Sequence, residues 1–348
     1  MRRRVYVANT GGTIGMKKTP AGYAPAAGYL QSLMARIPEL SDPLVPEYVV
    51  GDYAPLLDSS NMTPDDWLKI ATDIDAHYKD FDGFVVLHGT DTMAYTASAL
   101  PFMLDGLAKP VILTGSQIPL CELRSDAREN LITALLIAAD PRVTEVCLYF
   151  GGKLLRGCRT EKANADGFDA FASPNFPPLG IAGIDIEIDY SRMLPPSGPS
   201  FRLLAPMPGA AGGPSSEPVV AALRIFPGIS ATILRNVLQP PLRGLVLEAY
   251  GVGNAPDRED LLAALQDATS RGLVIVACTQ CLRGTVDLGD YATGSALAKA
   301  GVVSGFDLTA EAALAKMFHL FHRGHDAEEV KRLMRVSLRG ELTPPRTT

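Results

Sequence analysis

The chain has 348 residues, 47% of them hydrophobic, and its 32 basic against 38 acidic side chains give a net charge of −6. Because this acidic chain carries no stripe rich in lysine and arginine, nucleic acid is excluded as a partner. The longest strongly apolar stretch, 131–139, is about half of the ~20 residues that a membrane-spanning helix needs, so a membrane is excluded too. The length favours two domains of ordinary size.

The beginning of the chain and its cysteines both bear on where the protein is found. The first residues, MRRRVYVAN, combine a basic prefix with fewer apolar residues than the ~7–15 of a signal-peptide core. They are therefore interpreted as the first strand of a cytoplasmic protein. Five cysteines is an odd number in a long chain, which is typical of free thiols in a reducing compartment, so disulfides are not expected.

In the first half of the chain, short β-branched and aromatic runs alternate with helix-like segments. The predicted strands are 5–8, 84–87, 110–113 and 145–150, and the predicted helices are 63–79, 93–104 and 123–139. Thr63 and Pro64 support the start of the first helix, because a capping hydroxyl and a proline at the first helical position both favour a helix N-terminus. The alternation predicts an α/β domain over 1–194, with a mostly parallel sheet covered by helices.

A second, smaller domain is predicted after a change in composition. Residues 195–218 are rich in proline, glycine and serine and indicate a linker. Beyond it, the predicted strands are 219–225, 245–247 and 273–278, and the predicted helices are 230–238, 258–270 and 310–321. This alternation again indicates an α/β domain, over 219–348.

Two similar loops directly follow two of the predicted strands. They have the sequences TGGTIG at 10–15 and HGTDT at 88–92. Ligands of open α/β sheets bind beyond the carboxyl ends of the strands, so these loops are the first candidates for a site. Glycine lets the backbone approach a ligand, and the hydroxyl of Thr13 or Thr90 can act as a nucleophile or a hydrogen-bond donor. Taken alone, either loop is more often a simple chain reversal.

A threonine nucleophile needs a proton acceptor and donors for the charge that develops on the attacked carbonyl, and further candidates are present. Tyr23 follows KKTPAG, which has the composition of a flexible flap. Asp91 could bind a substrate ammonium, while Ser59 and Ser60 could hold a carboxylate. Lys162 is a distant lysine on a predicted loop. Separately, the serines also fit an ordinary turn and the lysine a solvated charge, so only the combination indicates a site.

Together, the two threonine loops resemble the two signature stretches of bacterial L-asparaginases. Further stretches follow in the family's order, namely DSS at 58–60, TGSQ at 114–117, TEKANADGFDAF at 160–171 and YGVGNAP at 250–256. The resemblance therefore covers nearly the whole chain, and the lack of a secretion signal makes it similar to the cytosolic type I branch. It implies hydrolysis of the side-chain amide of L-asparagine to L-aspartate and ammonia, without metal or organic cofactor.

The resemblance also implies a chemical role for each matching residue. Thr13 would be the nucleophile that forms an acyl-enzyme ester, with Tyr23 accepting or orienting its proton. Thr90, Lys162 and Asp91 would form a second constellation. In that constellation, a lysine with a lowered pKa would keep the threonine or a water molecule basic, because an ammonium that faces another cation or an apolar wall loses its proton readily.

The remaining implied roles concern substrate binding and assembly. Ser59, Ser60 and Asp91 would hold the substrate's α-carboxylate and α-ammonium, so that the amide alone is presented to Thr13. The family's fold has a larger N-terminal sheet domain and a smaller C-terminal one. Its active sites lie at a contact between the subunits of a homodimer, often paired into a homotetramer, and Asn254 would come from the neighbouring subunit.

Three positions differ from what the type I branch leads us to expect. A regulatory asparagine site, which some type I enzymes carry, would involve the places of Glu161, Glu248 and Cys281. Two acids there would repel the effector's carboxylate, so we predict weak or absent activation by asparagine. The CTQC stretch at 278–281 has no second cysteine pair with which to bind zinc, so Cys278 and Cys281 are expected to be two buried thiols.

Two other functions stay open at this point. One is the ammonia-releasing subunit of a tRNA-dependent amidotransferase, whose similar catalytic core follows an added N-terminal domain. The other is a non-catalytic amino-acid sensor on the same scaffold. The presence of the hydroxyls together with Asp91 and Lys162 favours an enzyme over a sensor. The sequence does not decide between asparagine and glutamine, although the extra methylene of glutamine would move its amide away from Thr13.

Overall fold

The structure, a computed structural model, describes residues 2–20, 22–205, 219–289 and 292–344. The chain divides into two compact units, one ending at Leu204 and the other beginning at Ala205. The predicted linker, 195–218, spans this division, and its residues 206–218 lie outside the described residues. Within the described ranges, every helix is too short or too polar to cross a membrane.

The first unit consists of a large sheet, short strand pairs and helices. Its strands are β1 (Arg4–Gly11), β2 (Met16–Thr19), β3 (Gly22–Pro25), β4 (Glu47–Leu57), β5 (Gly83–Leu87), β6 (Leu104–Asp105), β7 (Val111–Thr114), β8 (Val146–Phe150), β9 (Lys153–Arg156), β10 (Glu161–Lys162), β11 (Phe171–Ala172), β12 (Gly180–Ala182), β13 (Ile186–Ile188) and β14 (Arg202–Leu203). Its α-helices are α1 (Tyr29–Met34), α2 (Pro64–His77), α3 (Met93–Met103) and α4 (Ala127–Ala138).

The order of the strands explains where loops can meet. The large sheet has the order β13-β12-β9-β8-β7-β5-β1-β4. Its five strands from β8 to β4 are parallel, while β9, β12 and β13 add antiparallel pairs at the other edge. The predicted mostly parallel sheet is therefore confirmed. Because β1, β5 and β7 are neighbouring parallel strands, the loops after their carboxyl ends lie along one edge of the sheet.

Two helix starts show how local hydrogen bonds set the element boundaries. Pro64 is the first residue of α2, and the Thr63 backbone N–H donates to the Asp66 carboxylate over 2.8 Å, in line with the predicted start. The start predicted for α4, residue 123, was four residues too early. Leu123 is fully exposed, and the chain turns until the carboxylate of Asp126, the residue before the helix, accepts bonds from earlier backbone N–H groups.

The core of the first unit is built from alternate apolar residues of its strands, which point to the same face of the sheet. Val5 and Val7 of β1 and Val85 and Leu87 of β5 are fully buried on one face of the sheet. Helices α1 and α4 cover this face with apolar side chains, among them Leu30, Met34, Leu131, Ala134 and Leu135. Strand β5 is buried along its whole length, as expected of a parallel strand covered by helices on both faces.

The second unit is a smaller α/β domain, as predicted. Its strands are β15 (Val220–Arg224), β16 (Gly244–Ala249), β17 (Val274–Thr279) and β18 (Val303–Ser304), all parallel and in that order across the sheet. Its helices are α5 (Ala231–Val237), α6 (Glu259–Ser270), α7 (Ala292–Lys299), α8 (Ala310–His322) and α9 (Ala327–Met334). Alternate residues of β16 and β17 enter two apolar clusters, one with α5 and α6 and one with α8 and α9.

A buried ion pair closes the second unit near the end of the described chain. Lys316 of α8 and Glu341 are both completely buried, with 2.6 Å between the ammonium nitrogen and a carboxylate oxygen. Lys316 also donates to the carbonyl of Val336, and the Glu341 carboxylate accepts the backbone N–H groups of Leu338 and Arg339. These bonds connect the segment that follows α9 to Lys316 of α8.

Candidate active site

The two threonine loops lie side by side at the carboxyl ends of β1 and β5. Asn9 pairs with Leu87 at the end of these strands, and the Thr10 hydroxyl donates to the Leu87 carbonyl over 2.8 Å. Beyond this point the backbones touch, because a Cβ atom on Gly12 would lie 2.5 Å from the backbone nitrogen of Gly89. The contact brings the turn that begins at Thr13 to the HGTDT loop.

Thr90, Lys162 and Asp91 form one hydrogen-bonded cluster. The Lys162 ammonium donates to the Thr90 hydroxyl oxygen over 3.0 Å and to an Asp91 carboxylate oxygen over 2.6 Å. Thr90 is buried, whereas the Asp91 side chain is 64% exposed, so part of its carboxylate remains open to a ligand. The charged group that faces Lys162 is thus an anion, and not the cation or apolar wall considered from the sequence.

The position of Lys162 differs slightly from the prediction. It was expected on a loop, but it lies in the short strand β10, where it pairs with Phe171 of β11. Phe171 is buried and packs edge to face against Phe150, with 5.2 Å between the ring centroids. This pairing anchors the backbone below the lysine, and a two-residue strand is too short to give a pattern in the sequence.

Gln117 belongs to the same cluster, although the sequence analysis gave it no role. Its side-chain oxygen accepts the Thr90 hydroxyl proton over 3.1 Å, and its nitrogen donates to the carbonyls of Ala165 and Gly167. Gln117 therefore joins the HGTDT loop to the loop that follows Lys162. Its place just beyond β7, the next parallel strand, was the signal that could have found it.

The two predicted carboxylate-binding serines are placed differently. Ser59 is 3% exposed, and its carbonyl accepts the Thr92 hydroxyl over 2.7 Å. A Cβ atom on Gly89 would lie 2.3 Å from the Ser59 hydroxyl oxygen, so this serine rests directly on the HGTDT loop. Ser60 is exposed, and its backbone N–H donates to the Asp58 carboxylate. The structure thus brings Ser59, more than Ser60, to the threonine loops.

Tyr23 lies on a β-hairpin made of β2 and β3, which includes the segment predicted to be a flap. Its side chain is 44% exposed, and its hydroxyl donates over 2.7 Å to Glu122 and not to Thr13. The hydrogen bond to the Glu122 carboxylate raises the pKa of Tyr23 above its ordinary value. Glu122 was not a candidate, because nothing in the sequence around it points across 99 residues to a tyrosine.

His88 lies under the HGTDT loop and is completely buried. Its Nδ1 atom is 2.7 Å from the carbonyl oxygen of Gly89, and its Nε2 atom is 2.8 Å from the hydroxyl of Thr96 in α3. Burial lowers the pKa of His88 to about 4, so the imidazole is neutral near pH 7. The sequence analysis included this histidine in a motif and assigned it no role.

Family models match both units of the chain. The model described as "Asparaginase, N-terminal" matches residues 4–194, and the one described as "Glutaminase/Asparaginase C-terminal domain" matches residues 219–334. The chain belongs to the asparaginase family. The predicted family, its amidohydrolase class and its α/β fold are thereby confirmed.

Individual asparaginases are similar over nearly the full length. L-asparaginase 1 of Escherichia coli (strain K12) is 52% identical over 347 residues, which cover 99% of each chain. The crystal structure of L-asparaginase I from Vibrio cholerae O1 biovar eltor matches with a TM-score of 0.90 and 48% identity, over 99% of this chain and 100% of that one. A glutamyl-tRNA(Gln) amidotransferase component from Methanopyrus kandleri is 35% identical, over 97% of this chain and 74% of its own length.

The second unit holds several of the residues that were singled out from the sequence. Asn254 forms an isolated bridge with Tyr250 in the turn after β16. Cys278 is buried in β17, but the expectation of a second buried thiol was wrong, because Cys281 lies in the turn after the strand and is exposed. Among the described residues, no cluster of histidine, cysteine and acidic side chains could hold a metal ion.

Proposed function

We propose that this chain hydrolyses the side-chain amide of L-asparagine to L-aspartate and ammonia, with Thr13 as the nucleophile. The observation that carries the proposal is the bonded cluster of Thr90, Lys162 and Asp91 beside the loop of Thr13. A lysine that bonds both a hydroxyl and a carboxylate, next to a second hydroxyl on a glycine-rich turn, suits acyl transfer through an ester. The L-asparaginases from Escherichia coli and Vibrio cholerae support the choice of substrate.

In the first half of the reaction, the Thr13 hydroxyl oxygen attacks the amide carbon. The C–O bond forms, the C–N bond breaks, and the proton of Thr13 leaves with the amide nitrogen as ammonia. Tyr23 orients that proton: while its own hydroxyl donates to Glu122, its oxygen lone pairs remain free to accept from Thr13. A negative charge develops on the attacked carbonyl oxygen and is stabilised by backbone N–H donors. The N–H group of Thr90 is our candidate for one of these donors.

In the second half, water hydrolyses the acyl-enzyme. As the water oxygen attacks the ester carbon, a proton passes from the water through the Thr90 hydroxyl, which Lys162 holds in place, to the departing oxygen of Thr13 as the ester bond breaks. Ser59 and Ser60 hold the α-carboxylate of the substrate, and Asp91 holds its α-ammonium. The exposed oxygen of Asp91 suits that task, since only one of its oxygens bonds Lys162 at 2.6 Å.

The test is ammonia release from L-asparagine near neutral pH by the wild type and by Thr13→Ala and Lys162→Met. Loss of the nucleophile, or of the lysine that holds the Thr90 hydroxyl, is expected to lower kcat by about 1000-fold or more. Lys153→Met is the matched control, because Lys153 also pairs with an aspartate, Asp169, over 2.7 Å but lies outside the cluster. Its kcat should equal that of the wild type, and full activity of Thr13→Ala would refute the mechanism.

The same assay separates the two alternative functions. A wild type that binds asparagine without releasing ammonia would favour the amino-acid sensor. Release only in the presence of a tRNA-bound partner protein would favour the amidotransferase component. Rapid release from asparagine by this chain alone would exclude both, and a glutamine series would show whether the extra methylene lowers kcat/KM as we expect.

Three further properties belong to the proposal. The protein is placed in the cytoplasm, which its five free cysteines support, two of them exposed. It is proposed to be a homodimer or homotetramer, to be tested by light scattering. Asparagine is proposed not to activate it, because Glu161 and Glu248 would repel a second asparagine's carboxylate. A strongly sigmoidal dependence of the rate on asparagine concentration would contradict this last point.

A further inference from the structure

His88 makes two hydrogen bonds that together define its tautomer. The Gly89 carbonyl, 2.7 Å from Nδ1, can only accept a hydrogen bond, so Nδ1 must carry the proton. In the neutral ring Nε2 is then an acceptor, and the Thr96 hydroxyl, 2.8 Å away, donates to it. Thr96 is itself fully buried in α3. The helix therefore selects the tautomer that binds the HGTDT loop.

The bond to the Gly89 carbonyl also orients the next N–H group. In a trans peptide unit, the C=O of Gly89 and the N–H of Thr90 point in opposite directions. Because the carbonyl points down to the buried imidazole, the Thr90 N–H points up and away from it. Within the described part of the chain, this N–H donates to no protein acceptor, so it is available to a ligand.

This peptide unit needs such a restraint, because glycine permits backbone rotations that other residues resist. A larger residue at 89 is ruled out, since its Cβ atom would lie 2.3 Å from the buried Ser59 hydroxyl oxygen. The loop thus keeps a glycine for close packing and requires another means of fixing the orientation of its peptide. The Nδ1–H group of His88 is the one hydrogen-bond donor that the described structure gives to that carbonyl.

We propose that His88 is a positioning residue that locks the Gly89–Thr90 peptide, so that the Thr90 N–H stabilises the oxyanion formed when Thr13 attacks. Thr96 acts one step further away by fixing the tautomer. The inference rests on the proposed function, since it concerns the transition state of that reaction. It differs from simple core filling in one respect: what matters is a donor at the Nδ1 position, and not only the volume of the ring.

Two substitutions place an amide donor at different atoms of the lost ring. In His88→Asn the side-chain nitrogen lies near the place of Nδ1 and can still donate to the Gly89 carbonyl. In His88→Gln it lies near the place of Nε2, next to Thr96, and the carbonyl loses its donor. Removal of one oxyanion-hole donor costs about 100- to 1000-fold in kcat. We expect the kcat of His88→Gln to fall about 100-fold and the kcat of His88→Asn to fall only about 10-fold, both at unchanged KM.

Thr96→Val extends the test to the tautomer. Without the hydroxyl, Nε2 loses the donor that keeps the proton on Nδ1, and kcat is expected to fall about 10-fold at unchanged KM. The matched controls are His77→Asn and His77→Gln. His77 also has its Nδ1 atom 2.9 Å from a backbone carbonyl, that of Asp73, but it lies at the end of α2. Both control variants should retain the wild-type kcat.

Thermal unfolding of every variant separates positioning from folding. If His88→Asn and His88→Gln lose equal amounts of kcat and of Tm, then His88 only fills the core and the proposal is overturned. Equal kcat for both, without loss of Tm, overturns it as well. The proposal stands if the Gln variant is the slower one at similar Tm.

A readout that needs no turnover keeps this inference distinct from the proposed function. Nitrogen-15 NMR of labelled histidine in the intact protein, which has five histidines, reports which nitrogen of His88 carries the proton, with His88→Asn giving the assignment. We expect Nδ1–H in the wild type, and Nε2–H would overturn the inference even in an active enzyme. If the tautomer is Nδ1–H but the wild type releases no ammonia, the proposed function has failed, and the catalytic role of His88 fails with it.

Discussion

Two glycines allow the threonine loops to touch where any side chain would keep them apart. Gly12 has a φ of +88°, a value that other residues rarely adopt. The Gly89 backbone occupies the space that a Cβ atom on Gly12 would need. Gly89 in turn rests against Ser59. The distance between the two hydroxyl-bearing turns is thus set by backbone contact alone, which leaves little freedom for adjustment.

Gly12→Ala is therefore expected to disable the site. Its Cβ would meet the Gly89 backbone nitrogen at 2.5 Å, and the backbone would be strained at positive φ. A displacement of about 1 Å costs about 100-fold in rate, so kcat/KM for asparagine should fall by at least that factor. Gly15→Ala in the same turn is the control, because its Cβ would meet only Leu30 at 3.5 Å. Equal activities of the two variants would contradict the argument.

His88 also predicts how stability changes in acid. Its pKa is about 4 in the folded chain and has the ordinary value of 6.5 when unfolded, because burial disfavours the charged ring. Between these values the unfolded chain binds a proton that the folded chain does not. The free energy of unfolding therefore falls as the pH drops from 6.5 to 4, by at most about 3 kcal/mol, and this contribution is constant below pH 4.

Urea unfolding at a series of pH values checks this prediction. His88→Asn lacks the titrating ring, so its unfolding free energy should change less steeply than that of the wild type between pH 4 and 6.5. His77→Asn, which removes a partly exposed histidine, serves as the comparison. If the wild type and His88→Asn lose stability in parallel over this range, His88 does not titrate as stated.

At the scale of elements, one loop serves both parts of the candidate site. The segment between β7 and α4 carries Gln117, which bonds Thr90, and Glu122, which bonds Tyr23 of the hairpin. Asp126 anchors this loop by accepting the backbone N–H groups of Gln117 and Ile118. Movement of the loop would therefore affect the hairpin and the lysine cluster together.

Glu122→Ala is expected to loosen the hairpin of β2 and β3. Without the carboxylate, Tyr23 loses one of the bonds that hold the hairpin to the loop between β7 and α4, where Cys121 also contacts the carbonyl of Met16. Trypsin should then cleave after the exposed Lys17 or Lys18 about three to ten times faster, with a similar fall in kcat/KM. Glu39→Ala, which removes another exposed partner, that of Arg128, is the control and should leave both rates unchanged. Unaltered cleavage in Glu122→Ala would show that the bond does not restrain the hairpin.

Strands, loops and site residues could be predicted only where neighbouring residues in the sequence form a recognisable pattern. The strands ending near Thr13 and Thr90 were predicted correctly because each is a continuous apolar run followed by glycine, and this also placed the two loops at one edge. Gln117 and Glu122 bond residues 27 and 99 positions away, so no nearby pattern marks them. Cys281 was assigned to the core from its neighbour Cys278, although the strand ends between them.

At the scale of the whole molecule, the second unit depends on a charge pair hidden from water. Lys316→Met would leave the Glu341 carboxylate buried without its partner, which costs about 3–5 kcal/mol of unfolding free energy. Replacing both residues, as Lys316→Met with Glu341→Leu, should recover part of this loss because no charge is then left alone. Urea unfolding gives the values.

A surface pair provides the reference for that measurement. Arg332 and Glu329 form an ion pair within α9, in which both side chains are substantially exposed. Because water screens such pairs, Arg332→Met should lower the unfolding free energy much less than Lys316→Met does. A loss for Lys316→Met no larger than that for Arg332→Met would show that the buried pair does not hold the segment after α9.

The bonded cluster of the first unit joins parts of the chain that are synthesised at different times. Thr90 and Asp91 precede their common partner Lys162 by 72 and 71 residues, and the strand that holds this lysine is paired only when Phe171 has been added. A ribosome adds about 5–20 residues per second, so the partner of Asp91 arrives several seconds later. A nascent chain therefore carries the two threonine loops for that time with the cluster still incomplete.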